Sequence, residues 1–196
     1  MTAGRIGLFG GSFDPPHNAH VALARQALDA LRLDELRWVP AGNPWQKERR
    51  ITAAPHREAM VRLAMGDEPR FTLERCELER AGPSYTLDTV RELQAAEPGG
   101  QWFLLIGQDQ YAGLHTWHDW RELLGRVTLA VANRPGVARP PSPEVRAFAH
   151  QVVPLPMMEV ASTDIRARIA AGQDIAGLVP AGVAGYIERH RLYRGG

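Results

Sequence analysis

Short apolar runs of strand length alternate with amphipathic, helix-length stretches from Arg5 to Ala132, and few folds accept that rhythm. Arg5–Phe9, Leu36–Val39, Arg70–Leu73, Trp102–Ile106 and Val127–Ala132 read as strands, the second of them stopped by Pro40. Between them, Ala19–Leu31 places Val21, Ala24, Leu28 and Leu31 on one helical face. Pro55–Met65, Thr86–Ala96 and Trp117–Leu124 continue the helical series, and Pro98-Gly99-Gly100 breaks the chain after the second of these. The run Trp102–Ile106 is apolar without interruption, as a central strand covered on both faces requires. The alternation predicts an α/β, Rossmann-like doubly wound parallel sheet with helices on both faces.

The C-terminal part reads differently. NRPGVARPPSP (133–143) is a proline-rich surface connection. A short helix over Glu144–His150 follows, with Ser142 as its cap and Pro143 in its first turn. Val152–Pro156 and Met158–Val160 resemble strand pieces. Two C-terminal helices come last, Asp164–Ala171 closed by Gly172 and Ala181–His190 opened by Pro180. At 196 residues, a single domain over 1–196 is expected.

In a sheet of this kind, ligands sit beyond the carboxyl ends of the strands. The segment GGSFDPPHNAH (10–20), directly after the first strand, lies there. It fits neither the GxGxxG nor the GxxxxGK[ST] phosphate loop, and carries His17 and His20 where a lysine would stand. With Asn18 as N-cap, both histidines flank the start of a helix whose amides and dipole favour an anion, above all a phosphate. Gly10 and Gly11, lacking Cβ atoms, let the backbone approach closely. A zinc motif on a helix spaces its histidines i, i+4, and Asp14 brings no evident third ligand, so no metal site is assigned. Ordinary surface histidines remain the plain alternative.

Composition narrows the class. With 23 basic and 22 acidic residues the net charge is +1, which gives no electrostatic footprint for nucleic acid. Cys76 is the single cysteine, so neither an internal disulfide nor a cysteine-only metal cage is available. No apolar run approaches a membrane span, and MTAGRIGLFGG lacks the layout of a signal peptide. A cytoplasmic chain without membrane partners is expected, as a monomer or a homodimer. Lys47 is the only lysine, for which a coding bias towards arginine suffices.

GGSFDPPHNAH resembles the GxFDPxHxGH signature of the nucleotidyltransferase superfamily, with Ala19 where glycine is frequent. AGPSYTLDTVREL (81–93), FLLIGQDQYAGLHTWHDW (103–120), ANRPG (132–136), VASTDIRARI (160–169) and LVPAGVAGYIERHRLY (178–193) run in the order found in bacterial nicotinate-nucleotide adenylyltransferases. The resemblance covers nearly the whole chain. It implies transfer of the adenylyl group of ATP to nicotinate mononucleotide, with Mg²⁺ arriving on ATP. His17, His20 and Arg166 would act on the phosphates, and Gly10, Gly11, Ser12, Phe13, Asp109, Ser162 and Thr163 would complete the ATP site. Lys47, Tyr85, Thr86, Trp117 and His118 would serve the mononucleotide.

Each assignment has a plain counterpart. Ser162 or Thr163 can cap a helix that holds phosphates, or simply cap a helix beside a solvated Arg166. Lys47 either reaches a phosphate when its loop closes or faces solvent. Thr86 and Thr116 read as caps of two helices converging on the mononucleotide. One of Trp117 and Trp120 belongs to the core, and the resemblance selects Trp117 as the ring-stacking residue. Ala161 stands where the family has serine, Gln108 where alanine is frequent, and Trp45 and Gln46 depart from the pattern before Lys47. Transfer to nicotinamide mononucleotide or pantetheine phosphate, or nucleotide sensing without catalysis, are the competing readings.

Overall fold

The computed structural model describes residues 4–43, 51–133, 140–154, 158 and 160–194. Six strands form one parallel sheet: β1 (Arg5–Gly11), β2 (Glu35–Pro40), β3 (Phe71–Leu73), β4 (Gln101–Gly107), β5 (Thr128–Asn133) and β6 (His150–Pro154). Their order is β3-β2-β1-β4-β5-β6, so the chain winds one way from β1 and then the other way from β4. The carboxyl ends of β1 and β4 therefore flank the switch point, where a doubly wound sheet leaves a crevice.

The crossovers are α1 (Asn18–Ala30), α2 (Ala54–Met65), α3 (Cys76–Glu79), α4 (Thr86–Ala96), α5 (Gln108–Ala112), α6 (Trp120–Arg126) and α7 (Pro143–Arg146). α8 (Ser162–Ala170) and α9 (Ala181–Arg189) follow the sheet. The apolar strands feed two cores. Leu8, Trp102, Leu104 and Ile106 point to one face, against Leu87, Val90 and Leu93 of α4 and Leu123 of α6. Phe9, Phe103 and Leu105 point to the other, against Leu23, Ala27 and Leu28 of α1. The period of two is thus hidden in a continuous apolar run because both faces are covered. Burial of each such large side chain contributes about 1.5–3 kcal/mol.

A third core lies off the sheet, where Met60 and Ala64 of α2 meet Ile165 of α8 and Val183 and Ile187 of α9. This is the apolar cluster that holds α8 in place.

Several expected boundaries shift. His17, not Asn18, is the N-cap of α1, because the Asn18 side chain donates instead to Gly177 O at 2.7 Å. Ala161 caps α8, since the Ser162 hydroxyl donates to Pro15 O and the Thr163 hydroxyl accepts from Arg166. Tyr85 precedes α4, leaving Thr86 as its first residue. Thr116 closes a 3-10 turn over Leu114–Thr116, its hydroxyl donating to Gly113 O. Trp117 is extended, and α6 starts only after Asp119 has turned the backbone left-handed at φ 45°. The expected helix Glu144–His150 ends at Arg146, because His150 pairs with Leu129 in the sheet and its ring nitrogen meets the Tyr111 hydroxyl. Met158 and Val160 are not in a strand, and residues 155, 156 and 159 of the two expected strand pieces lie outside the described residues.

Candidate active site

A cleft of about 520 Å³ opens at the carboxyl ends of β1 and β4. Its floor is the carboxyl end of β1 and the segment that follows it. At Gly10 a Cβ would meet nothing within 4 Å, so that the backbone lies open to the cleft, whereas at Gly11 it would press on the Phe13 ring at 3.0 Å. Phe13 is buried with φ 46° and packs against Phe9, Trp38 and His20. Ser12 lines the cleft beside it.

His20 Nδ1 accepts from the backbone N–H of His17 at 3.2 Å. In the neutral ring this leaves the proton on Nε2, a fixed donor on a cleft-lining side chain. The two imidazoles stack with centroids 3.6 Å apart. Burial, and secondarily the neighbouring His17, hold the His20 imidazole well below the usual histidine range. His20 is therefore neutral at pH 7. This differs from a phosphate loop's lysine, which acts as a point charge.

Opposite stands the start of α8. Arg166 Nη1 donates to Asp14 O at 2.7 Å and Nη2 to the Thr163 hydroxyl at 3.2 Å, so that the guanidinium lies against the signature segment. Ser162, Thr163 and Arg166 all line the cleft. Asp109, exposed in the first turn after β4, lines it from the third side.

The remaining wall comes from α3, α4 and the Trp117 segment. Thr86 and Trp117 line the cleft, while Trp120 is core. Tyr85 and His118 stack on each other at 4.4 Å, outside the cleft lining, with His118 also 3.4 Å from the Asp119 carboxylate. Lys47, with Trp45 and Gln46, lies outside the described residues.

Two buried charged groups, Arg57 and Glu77, have no place in the sequence reading, and a third, Asp14, enters it only as a metal-ligand candidate. Arg57 is 1 % exposed and donates to Thr52 O at 2.8 Å and Ser12 O at 3.1 Å. It shares the buried stripe of α2 with Met60, Val61 and Ala64, and a cation on an apolar face was the available signal. Burial pushes its pKa down, opposed by Asp14, Tyr193 and Glu77. Glu77 lines the cleft and accepts from the Thr89 hydroxyl at 2.8 Å. Burial pushes its carboxyl up, while Thr89, Ser84, Arg80 and Arg57 act the other way. Its backbone lies so close to Gly42 that a Cβ there would sit 1.9 Å from Glu77 O, which makes glycine obligatory. Asp14 is fully buried, with its Oδ1 accepting from the Tyr193 hydroxyl at 2.7 Å.

A crevice at the switch point, two helix starts facing across it and a neutral imidazole donor between them define a nucleotide-binding transferase site of the doubly wound class. The cytidylyltransferase-like family profile matches residues 8–168. A relative from Methylibium petroleiphilum, named "Probable nicotinate-nucleotide adenylyltransferase", is 55% identical over 98% of this chain and 95% of its own. One of the same name from Bordetella pertussis is 46% identical over 99% of this chain and all of its own. Among solved structures, a Plasmodium falciparum nicotinic acid mononucleotide adenylyltransferase has the same fold, with a TM-score of 0.82 at 17% identity and 97% of both chains covered. The chain belongs to the nicotinate-nucleotide adenylyltransferase family, within the cytidylyltransferase-like nucleotidyltransferases.

Proposed function

We propose that this chain transfers the adenylyl group of ATP to nicotinate mononucleotide, releasing nicotinate adenine dinucleotide and pyrophosphate. The observation that carries the reading is the convergence of the α1 and α8 starts on one cleft, with neutral His20 and Arg166 on opposite sides. The names of the relatives support it independently.

In this reaction an oxygen of the mononucleotide phosphate attacks the α-phosphorus of ATP in line. The new P–O bond forms as the bond to the bridging oxygen of the β-phosphate breaks, and pyrophosphate leaves with the electron pair. No group on the protein need accept a proton. The protein's work is positioning, which can supply on the order of 7–11 kcal/mol, and stabilising charge as it moves. His20 Nε2–H donates to the reacting phosphate, with His17 stacked against it. Arg166 and the first amides of α8 hold the β- and γ-phosphates, while Gly10, Gly11, Ser12 and Phe13 form the floor beneath the nucleotide. Trp117 stacks on the cationic pyridine ring, and the α4 start at Thr86 receives the nicotinate carboxylate. Tyr85 and His118 serve that wall as a stacked pair at its rim.

A divalent cation that travels with ATP asks the protein for one or two carboxylates at most. Asp109 is the exposed carboxylate on the lining, and so the residue that would meet it. The ion, Mg²⁺ in this reading, screens the phosphate charges when bound. No described helix is long and apolar enough to cross a membrane, and the reaction's soluble substrates fit a cytoplasmic enzyme.

Pyrophosphate release with ATP and each of three acceptors tests the reading. Nicotinate mononucleotide should outpace nicotinamide mononucleotide and pantetheine phosphate by at least about tenfold in kcat/KM, since only its carboxylate gains from the α4 start. Equal rates with the two pyridine nucleotides would overturn the carboxylate site, and no release with any acceptor would overturn the reaction.

A further inference from the structure

The segment LVPAGVAGYIERHRLY carries part of the family likeness, yet none of its residues touches the cleft. Together with Gly177 just before it, it touches the signature segment at two points on either side of His17. Upstream, the Tyr193 hydroxyl donates to Asp14 Oδ1 at 2.7 Å. Downstream, Gly177 O accepts from the Asn18 side chain at 2.7 Å and Leu178 O accepts from the Asn18 backbone N–H at 2.9 Å. The five residues Asp14–Asn18 are thus held at both ends by a part of the chain 159 to 179 positions later.

The stretch after α9 is shaped to make this contact. Arg191 and Tyr193 both adopt positive φ, 52° and 61°, without being glycine. Such backbone is strained for a residue with a side chain and persists only where the surroundings over-determine it. Here Leu192 and Tyr193 pack on the third core, and the Leu192 N–H closes on Ile187 O at 3.0 Å. The two left-handed turns bring the phenol back under the signature segment. Burial, with the Asp14 carboxylate beside it, pushes the phenol's pKa up, so it remains a donor at every working pH. Asp14 also receives the Thr52 N–H at 3.4 Å, and Arg57 holds Thr52 O and Ser12 O.

We infer that Tyr193 is a positioning residue for adenylyl transfer: through Asp14, and together with the Asn18 contacts to Gly177 and Leu178, it fixes where the His17–His20 imidazole pair stands. The inference rests on the proposed reaction for its kinetic arm only.

The test compares Tyr193→Phe, Asp14→Asn, the double variant and Asn18→Ala. Tyr193→Phe keeps the ring packing and loses one hydroxyl. It should lower kcat about tenfold, with both KM values within about twofold, because a small displacement of a charge-stabilising donor costs rate more than binding. Asn18→Ala, which removes the side-chain half of the other hold and leaves the backbone N–H on Leu178 O, should lower kcat in the same direction but by less. The double variant should be no slower than Asp14→Asn alone, the signature of residues acting through one contact. Independently of turnover, the ring ¹⁵N signals of His17 and His20 should shift in Tyr193→Phe while those of His115 and His118 stay. A kcat within twofold of the parent, purely multiplicative losses in the double variant, or unmoved His17 and His20 signals would each overturn the inference. A fall in melting temperature with unchanged kcat would show a purely structural tyrosine. If the parent chain releases no pyrophosphate, the proposed reaction fails, and the ¹⁵N comparison still decides the link.

Discussion

The two helix starts that face the cleft reach the same end by opposite means. At α1 the amides are largely spent inside the protein: Asn18 N–H goes to Leu178 O, and His20 N–H and Val21 N–H both go to His17 O. What α1 offers a ligand is chiefly side-chain chemistry, the stacked imidazoles. At α8, Ile165 N–H is taken by Ala161 O, but among the described residues no acceptor takes the amides of Ser162, Thr163 and Asp164. What α8 offers is backbone, with Arg166 one turn in. A helix start is therefore not one kind of anion site. Where the protein satisfies the amides, the directed donors must be side chains, and mutation can remove them. Where it leaves them open, much of the grip survives any single substitution.

The largest consequence falls on α1. His20→Ala should lower kcat by about 10²–10³, the cost of one preorganised donor, with the KM for ATP changed less than about fivefold. Near-parental turnover in a steady-state pyrophosphate assay would make the imidazole structural and dissolve the contrast. Arg166→Ala should cost less, about 30- to 100-fold in kcat/KM for ATP, because the α8 amides remain; Lys should restore part of it as a point charge. Trp117→Ala touches neither start. It should raise the KM for the mononucleotide about tenfold, leaving that for ATP alone, and equal losses for both would indicate a collapsed wall.

Smaller effects sharpen the same contrast. Since His20 in the folded chain titrates below its unfolded value of about 6.5, the unfolded chain binds the proton first. Stability is then fully present above that pH and is lost as pH falls towards the depressed value. Urea midpoints measured downward from pH 7 should show this slope, and His20→Gln should flatten it. Smallest of all, Asp164→Asn removes the one acidic group from the first turn of α8 and should lower the KM for ATP about twofold. No change in KM would mean that those amides do not meet the phosphates.

The sheet was legible in the sequence because period and punctuation mark strands locally: Pro40 ends β2, and the unbroken Trp102–Ile106 run announces a strand covered twice. The signature segment was legible because glycines and two histidines at a strand end fit few other arrangements. The caps were read wrongly where a polar side chain had a better partner far away in sequence. Asn18 abandoned its cap for Gly177, and Ser162 for Pro15. Thr116 failed for another reason, since Asp119 had to turn the chain before α6 could start. Tyr193 and Glu77 carry no local pattern at all, and their partners exist only once the chain has closed. Arg57 alone left a trace, a cation on the buried face of α2.

The off-sheet core under α8 has a mechanical consequence. One helix start, after β1, rests on the core of the sheet, whereas the other rests on the cluster of α2, α8 and α9, with α2 shared by both. In the proposed reaction, a triphosphate lying between them would work as a rivet joining sheet to helix cluster. Its arrival should slow amide exchange in α8 and α9 far more than in β1 or β4, whose protection is already set by the sheet.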